Sequence, residues 1–413
     1  MKNQLKFLSL LFAVGVTFSF TACDETDDDN SEEIEEITGN VVVTDNITEN
    51  TTWTSENIYE LAGRITVVDG VTLTIEPGTV IKGQSGTGSN ATALLVARGG
   101  KLMAEGTATA PIIFTAVNDE ITPDDVAAGN YGSPNLDPDV NGLWGGVIIL
   151  GKSRISASNE DATEDASEVQ IEGIPTSDAN GLYGGTDLED NSGILRYVSI
   201  RHGGTNIGSG NEINGLTLGG VGSGTTIDHI EIVSNQDDGV EWFGGTVNVT
   251  DLLVWNVGDD GIDADQSYTG TISNFLVISP AGHNFELDGP EGSVDYGAFT
   301  IKNGVVVASD DEYERVSEDL INTDDNTSVT FQNVFITGIQ EGQQINRVSF
   351  EEGVTSFTGV VLDVDAAALA DYVNGDVPTG VTADSVPATA SDIDLSVFSG
   401  WTWASESGKV PSL

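Results

Sequence analysis

Apolar residues alternate with polar ones in short runs, and the runs themselves return about every 22 residues. Laid over one another, residues 226–233, 248–255 and 271–278 match apolar on apolar: Thr226-Ile227-Asp228-His229-Ile230-Glu231-Ile232-Val233, Asn248-Val249-Thr250-Asp251-Leu252-Leu253-Val254-Trp255 and Thr271-Ile272-Ser273-Asn274-Phe275-Leu276-Val277-Ile278. Alternation of period two marks a strand, and its return at a fixed longer interval marks a coil of a solenoid. The repeat runs on into Asp237-Asp238-Gly239-Val240-Glu241-Trp242, Asp259-Asp260-Gly261-Ile262-Asp263-Ala264 and Gly282-His283-Asn284-Phe285-Glu286-Leu287. The pattern predicts an all-β chain folded as a right-handed parallel β-helix.

One column fixes the register. His229, Asp251, Asn274, Asn303 and Asn333 fall at the same place in successive repeats, between two apolar residues that must both face inward. A sharp bend there requires the left-handed backbone region, which Asn, Asp and His tolerate better than other non-glycine residues. That gives His229 a structural explanation in preference to a catalytic one. Earlier coils are read at residues 71–81, 94–103 and 111–114, later ones at 299–306 and 330–336. Segments 118–142 and 158–191 are too long for turns and are expected to bulge from one side. A helix is expected over 366–373 after Asp365, with Phe398, Trp401 and Trp403 covering the last coil. Sugar stacking is the alternative role for Trp401 and Trp403. The domain reading is a signal peptide over 1–22, a tether over 23–40, the β-helix over 41–364 and a helix with capping segment over 365–413.

The first residues change the picture of where the chain resides. Lys2 and Lys6 precede an apolar run from Phe7 to Phe20, too short to cross a bilayer, and small residues lead to Cys23. Cys23 is the sole cysteine, so no intramolecular disulfide can form. Phe20-Thr21-Ala22-Cys23 resembles the lipobox of bacterial lipoproteins, with Phe20 where Leu is usual, and implies lipidation at Cys23. Removing the leader takes away two lysines and no acids, moving the net charge from −52 to −54. Such a charge excludes nonspecific nucleic-acid binding and favours divalent cations or a basic partner. Residues 24–38 are acidic and nearly free of apolar side chains, as expected of a solvated tether. They resemble the export signal of surface lipoproteins of the Bacteroidota.

Val240, Ile262 and Phe285 share one inward position, and Trp242, Ala264 and Leu287 share another. Glu241, Asp263 and Glu286, lying between, therefore point outward and stack about 4.8 Å apart. Two like charges at about 5 Å repel by about 3 kcal/mol at an effective dielectric near 20. Protonation, splaying into water, or a hard cation such as Ca²⁺ relieves that repulsion. With Asp238 and Asp260 just before the column, the candidate metal ligands are Asp238, Glu241, Asp260, Asp263 and Glu286.

The pattern Asp-Asp-Gly-x-Asp/Glu resembles the calcium segment of β-helical polysaccharide lyases, where a nearby Lys or Arg removes a proton from the sugar. Where that group carries Asn-Gly-Phe-Lys-Leu, this chain has His283-Asn284-Phe285-Glu286-Leu287, a glutamate in the base position. Lys302 and Arg201 are the nearest substitutes. No phosphate loop or zinc cage is legible, with glycine clusters lacking Lys-Ser/Thr and three dispersed histidines.

As a whole the chain resembles a family of β-helix surface lipoproteins of the Bacteroidota. The likeness is carried by Leu73-Thr74-Ile75-Glu76-Pro77-Gly78-Thr79, Gly100-Lys101-Leu102-Met103-Ala104-Glu105-Gly106-Thr107, Trp144-Gly145-Gly146-Val147-Ile148-Ile149, Asn214-Gly215-Leu216-Thr217-Leu218-Gly219-Gly220, Glu241-Trp242-Phe243-Gly244-Gly245-Thr246 and Gly400-Trp401-Thr402-Trp403-Ala404. It implies fold and address: an outer-membrane lipoprotein facing the cell exterior. The functional expectation is a nonenzymatic module that binds an extracellular glycan, a divalent cation or an outer-membrane receptor. The alternatives are a calcium-dependent, lyase-like enzyme and a structural or adhesive surface protein.

Overall fold

The computed structural model describes residues 39–158, 165–208, 213–324, 326–346 and 355–413. The leader, Cys23 and the tether up to Thr38 lie outside them. Nearly every pairing is parallel and joins one coil to the next, as a chain winding repeatedly past itself requires. Among the described residues a fifteen-stranded sheet forms one wall and a nine-stranded sheet the other. The predicted register holds residue for residue: Ile227 pairs with Val249 and Val249 with Ile272 in the larger sheet. In the smaller sheet Val240 pairs with Ile262 and Ile262 with Phe285. Ile230, Leu252 and Phe275 of the larger sheet meet Trp242, Ile262 and Phe285 of the smaller inside one continuous apolar core.

The bend column is also where expected. His229, Asp251, Asn274, Asn303 and Asn333 have φ of 54°, 57°, 51°, 56° and 53°. Tyr197 (48°) and Gly359 (66°) extend the column at either end with residue types outside the Asn, Asp and His set. In the first coils a longer turn does the same work, separating Thr51–Trp53 from Asn57–Leu61 and Thr72–Ile75 from Val80–Gly83. From Gly193–Arg201 onward the two strands fuse and a single residue makes the corner. A second left-handed column, at His202, Ser234, Asn256 and Ser279, closes the far end of the same strands.

Three expectations are corrected. The long segments do not bulge from one side: each folds flat onto the outer face of a different sheet. Ile121, Val126 and Tyr131 cover Val80 and Ile113 of the larger sheet, whereas Ile155, Ile171, Ile174 and Tyr183 cover Ile148, Leu150 and Phe243 of the smaller. The first segment carries the helix Pro123–Ala128, started by a reciprocal cap between Thr122 and Asp125. Residues 366–373 form only a single 3₁₀ turn, Leu369–Tyr372, with Asp365 accepting from the Ala367 N–H. Phe398, Trp401 and Trp403 do not close the last coil. Leu369, Tyr372, Val373 and Val381 pack there, while the C-terminal segment runs back across the larger sheet as a strap over Val233, Trp255 and Leu276.

The bend column holds the strap. Asn274 exchanges two hydrogen bonds with the Asp394 backbone, at 3.0 and 2.9 Å, and Asn333 does the same with Thr389. Trp401 packs edge-on against Tyr197 at 5.3 Å, and Tyr197 lies 4.2 Å from His229. Trp401 and Trp403 are buried, so they offer no face to a sugar.

Candidate metal centre

The acidic column forms as the alternation requires. Thr217, Glu241, Asp263, Glu286 and Asn322 pair in succession along the smaller sheet, between the inward rows. The preceding turns deliver the Asp-Asp pairs. Gly239 and Gly261 end those turns because a Cβ there would sit 2.5 Å from Val254 Cγ1 and 2.6 Å from Val277 Cγ1. Asn235 fixes the first turn by donating to the carbonyls of Ile213 and Asp238 at 3.0 Å each.

The surroundings differ from an open, wet face. Glu241 and Asp263 are 7% and 8% exposed, and Asp238 and Asp260 are buried as well. Side-chain oxygens of Asp238, Glu241 and Asp263 all lie within 4.8 Å of one another, and Asp237, Asp238 and Asp259 make a second such group at the more exposed edge. Glu172, from the segment folded over this sheet, adds a further negative charge near Glu241. No Lys or Arg forms an ion pair with Asp238, Glu241 or Asp263 among the described residues. Burial, reinforced by the neighbouring carboxylates, pushes Asp238, Glu241 and Asp263 well above the usual carboxylate range.

Asp260 and Glu286 stand apart from the three. The Asp260 N–H donates to Asp238 Oδ1 at 3.0 Å, and Asp260 accepts from the His283 N–H. Burial and a side-chain hydrogen bond with Glu286 raise the Asp260 pKa to about 11. A proton on Asp260 lets its carboxyl donate that hydrogen bond to Glu286. The five predicted ligands thus divide into a compact trio and a hydrogen-bonded pair.

The fit to a hard cation rests on the trio. Asp263 Oδ1 is enclosed and has no hydrogen-bond partner among the described residues. An orphaned carboxylate oxygen beside two further carboxylates is the donor set that Ca²⁺ accepts. Asn214 joins them through its amide, which donates to Glu241 Oε2 and leaves its own Oδ1 without a partner. Sequence reasoning missed Asp265, which shares a column with Phe243 and is likewise held well above its usual range by burial and by Asp288 and Glu291. The alternation through Asp263-Ala264-Asp265 already marked it as outward-facing.

Neither substitute for a catalytic base reaches this column. Arg201 is fully buried on the other sheet, bonded to Glu231, and Lys302 pairs in register with Ser273 and Gln332 on that same sheet. No curated protein matches the chain, and no solved structure does. A family model described as a pectate-lyase-like β-helix domain matches residues 45–132 and 133–401, nearly the whole of the coiled region. With the coil-on-coil register, the inward rows and this match in agreement, the chain belongs to the pectate-lyase-like β-helix domain family.

Proposed function

We propose that this protein is a nonenzymatic, carbohydrate-directed binding module that holds a divalent cation, Ca²⁺ by its donor set, at Asp238, Glu241 and Asp263. The observation that carries the reading is the buried trio with its unpartnered Asp263 oxygen and no cationic side chain paired to it. Membership of the pectate-lyase-like family supports a carbohydrate ligand. Bound there, the cation would neutralise the column and offer a positive centre to an acidic or hydroxyl-rich ligand. The placement of Arg201 and Lys302 away from the column favours binding over elimination chemistry. Lipidation at Cys23 would display the module on the outer membrane, facing extracellular glycan or a receptor protein.

Calorimetry of the full chain with CaCl₂ tests the cation directly. Saturable uptake that disappears in Asp263→Ala and Glu241→Ala supports the reading. No uptake, together with a melting temperature indifferent to chelator, removes it. Incubation with uronate polymers separates binder from enzyme: retention of the polymer unchanged is expected, and release of unsaturated products that vanish in Glu241→Ala would establish the lyase alternative instead.

A further inference from the structure

Cationic side chains are scarce in this chain, 14 against 66 acids, and Arg64, Arg196, Arg201 and Lys409 each hold a carboxylate. Arg315 differs from these four. It stands at the end of a small hairpin in which Ser309–Asp310 pairs with Arg315–Val316. Its Nη1 donates to the Val257 carbonyl at 2.8 Å, and no carboxylate among the described residues lies within ion-pair distance of it. Burial lowers its pKa, with Asp139 opposing the shift. A half-desolvated guanidinium with no anion at ion-pair distance is costly to keep.

What Arg315 faces explains its retention. It lines a cavity of about 410 Å³ with Asn141, Gln236, Gly258, Ala281, Glu314 and Val316. The floor is rigid: Gly258 and Ala281 are turn positions in successive coils, bonded back to Asn235 and Val257. A Cβ on Gly258 would lie 2.1 Å from the Gln236 carbonyl oxygen, so that floor stays low. The walls come from the two insertions beside it, Asn141 from one and the hairpin from the other. A loop wall on a fixed floor is a common way to build a binding site, and the volume falls within the range of small-molecule pockets. The lining combines a planar fork suited to a carboxylate, two side-chain amides suited to hydroxyls, and Val316, an apolar side chain left 48% exposed.

We propose that this cavity is a carboxylate pocket, separate from the acidic column, in which Arg315 grips the anion of a small hydroxy acid while Asn141 and Gln236 meet its hydroxyls and Val316 its carbon face. Glu314 on the rim and Asp139 nearby limit the ligand to a single negative charge. This assignment stands whether or not the column takes a metal.

Titration calorimetry of the full chain at low salt with glucuronate, lactate and glucose tests it. Glucuronate is expected to bind saturably and glucose not at all; lactate binding as well would assign the pocket to a bare carboxylate, and glucuronate alone to a sugar acid. Loss of one charged fork should weaken glucuronate about tenfold or more in Arg315→Gln. Val316→Asp leaves the bond to Val257 in place and should repel the same probe, so a folding defect in the first variant cannot mimic the result. Equal binding of glucose, saturable binding by none of the three probes, or glucuronate binding unchanged in both variants at an unaltered melting temperature would overturn the proposal.

Discussion

The outer faces of the two sheets solve the same problem in opposite ways. On the larger sheet the buried Arg201 and Glu231 are each other's counterions. Arg201 and Glu231 are both fully buried at 3.4 Å; Ser199 bridges them, the Ala404 N–H donates to Glu231, and the Trp403 ring lies over the guanidinium. Arg196 grips Asp228 with both ends of its fork, and Lys409 holds Asp310 at 2.7 Å. On the smaller sheet Asp238, Glu241 and Asp263 are also buried and, among the described residues, have no such partner. An ion in a dry place persists only if something neutralises it. The first face is therefore complete in itself, and the second is completed by protons or by a cation from solution.

The sharpest way to break that contrast is to unpair the first face. Arg201→Ala or Glu231→Ala leaves a stranded charge and should cost about 3–5 kcal/mol in denaturant unfolding, whereas the joint change Arg201→Met with Glu231→Leu should recover most of it. A loss below about 1 kcal/mol in both single variants would show the pair to be unimportant.

Next in size is the completion of the second face. Ca²⁺ at about 100 times its dissociation constant should add about 2.7 kcal/mol to wild-type stability. Asp263→Asn should abolish that gain yet leave the chelator-treated protein more stable than wild type by about 2 kcal/mol, because a neutral amide occupies the buried site without the cost of taking up a proton. Should Asp263→Asn destabilise the metal-free protein, burial of that acid carries no such cost.

The smallest effect has opposite signs on the two faces. The acids of the smaller sheet hold protons in the folded chain that the unfolded chain releases, so in chelator stability should rise as pH falls from 7 toward the ordinary carboxylate range near 4. Asp228 behaves in reverse. Burial raises its pKa, but hydrogen bonds from His229 and Arg196 outweigh that and hold the carboxyl down to about 2. Its contribution is present above its unfolded value near 4 and lost as pH falls toward 2; with Arg196 39% exposed it amounts to about 1 kcal/mol. Comparing wild type with Asp228→Asn below pH 4, and with Asp263→Asn above it, separates the two.

How much of this was legible in the sequence follows from the range of the forces involved. Coil register was readable because alternation and the 22-residue period are local patterns, and Asn274 or Asn333 announces its bend by residue type alone. The outward stacking of Glu241, Asp263 and Glu286 came with the register. The burial of Glu241 and Asp263 did not, since the segment that supplies Ile155, Ile171 and Tyr183 to the outer face of the same sheet is aperiodic. The strap was misplaced for the same reason: the bond from Ala404 to Glu231 spans 173 residues, and no repeat announces it. The division of the predicted ligands into a trio and a pair rests on which carboxyls meet, a matter of side-chain reach that spacing along the chain leaves open.

The strap also sets how the molecule would bear a load. It fastens windings from Gly193–Arg201 to Val329–Thr337 into one block, through Trp401, Asp394 and Thr389, while the windings ahead of it are joined mainly neighbour to neighbour. Tension drawn through the N-terminus would peel those first windings away singly, in a train of small yields, and then stall at the block until it ruptured at a higher force. A solenoid built this way is a shock absorber at one end and an anchor point at the other.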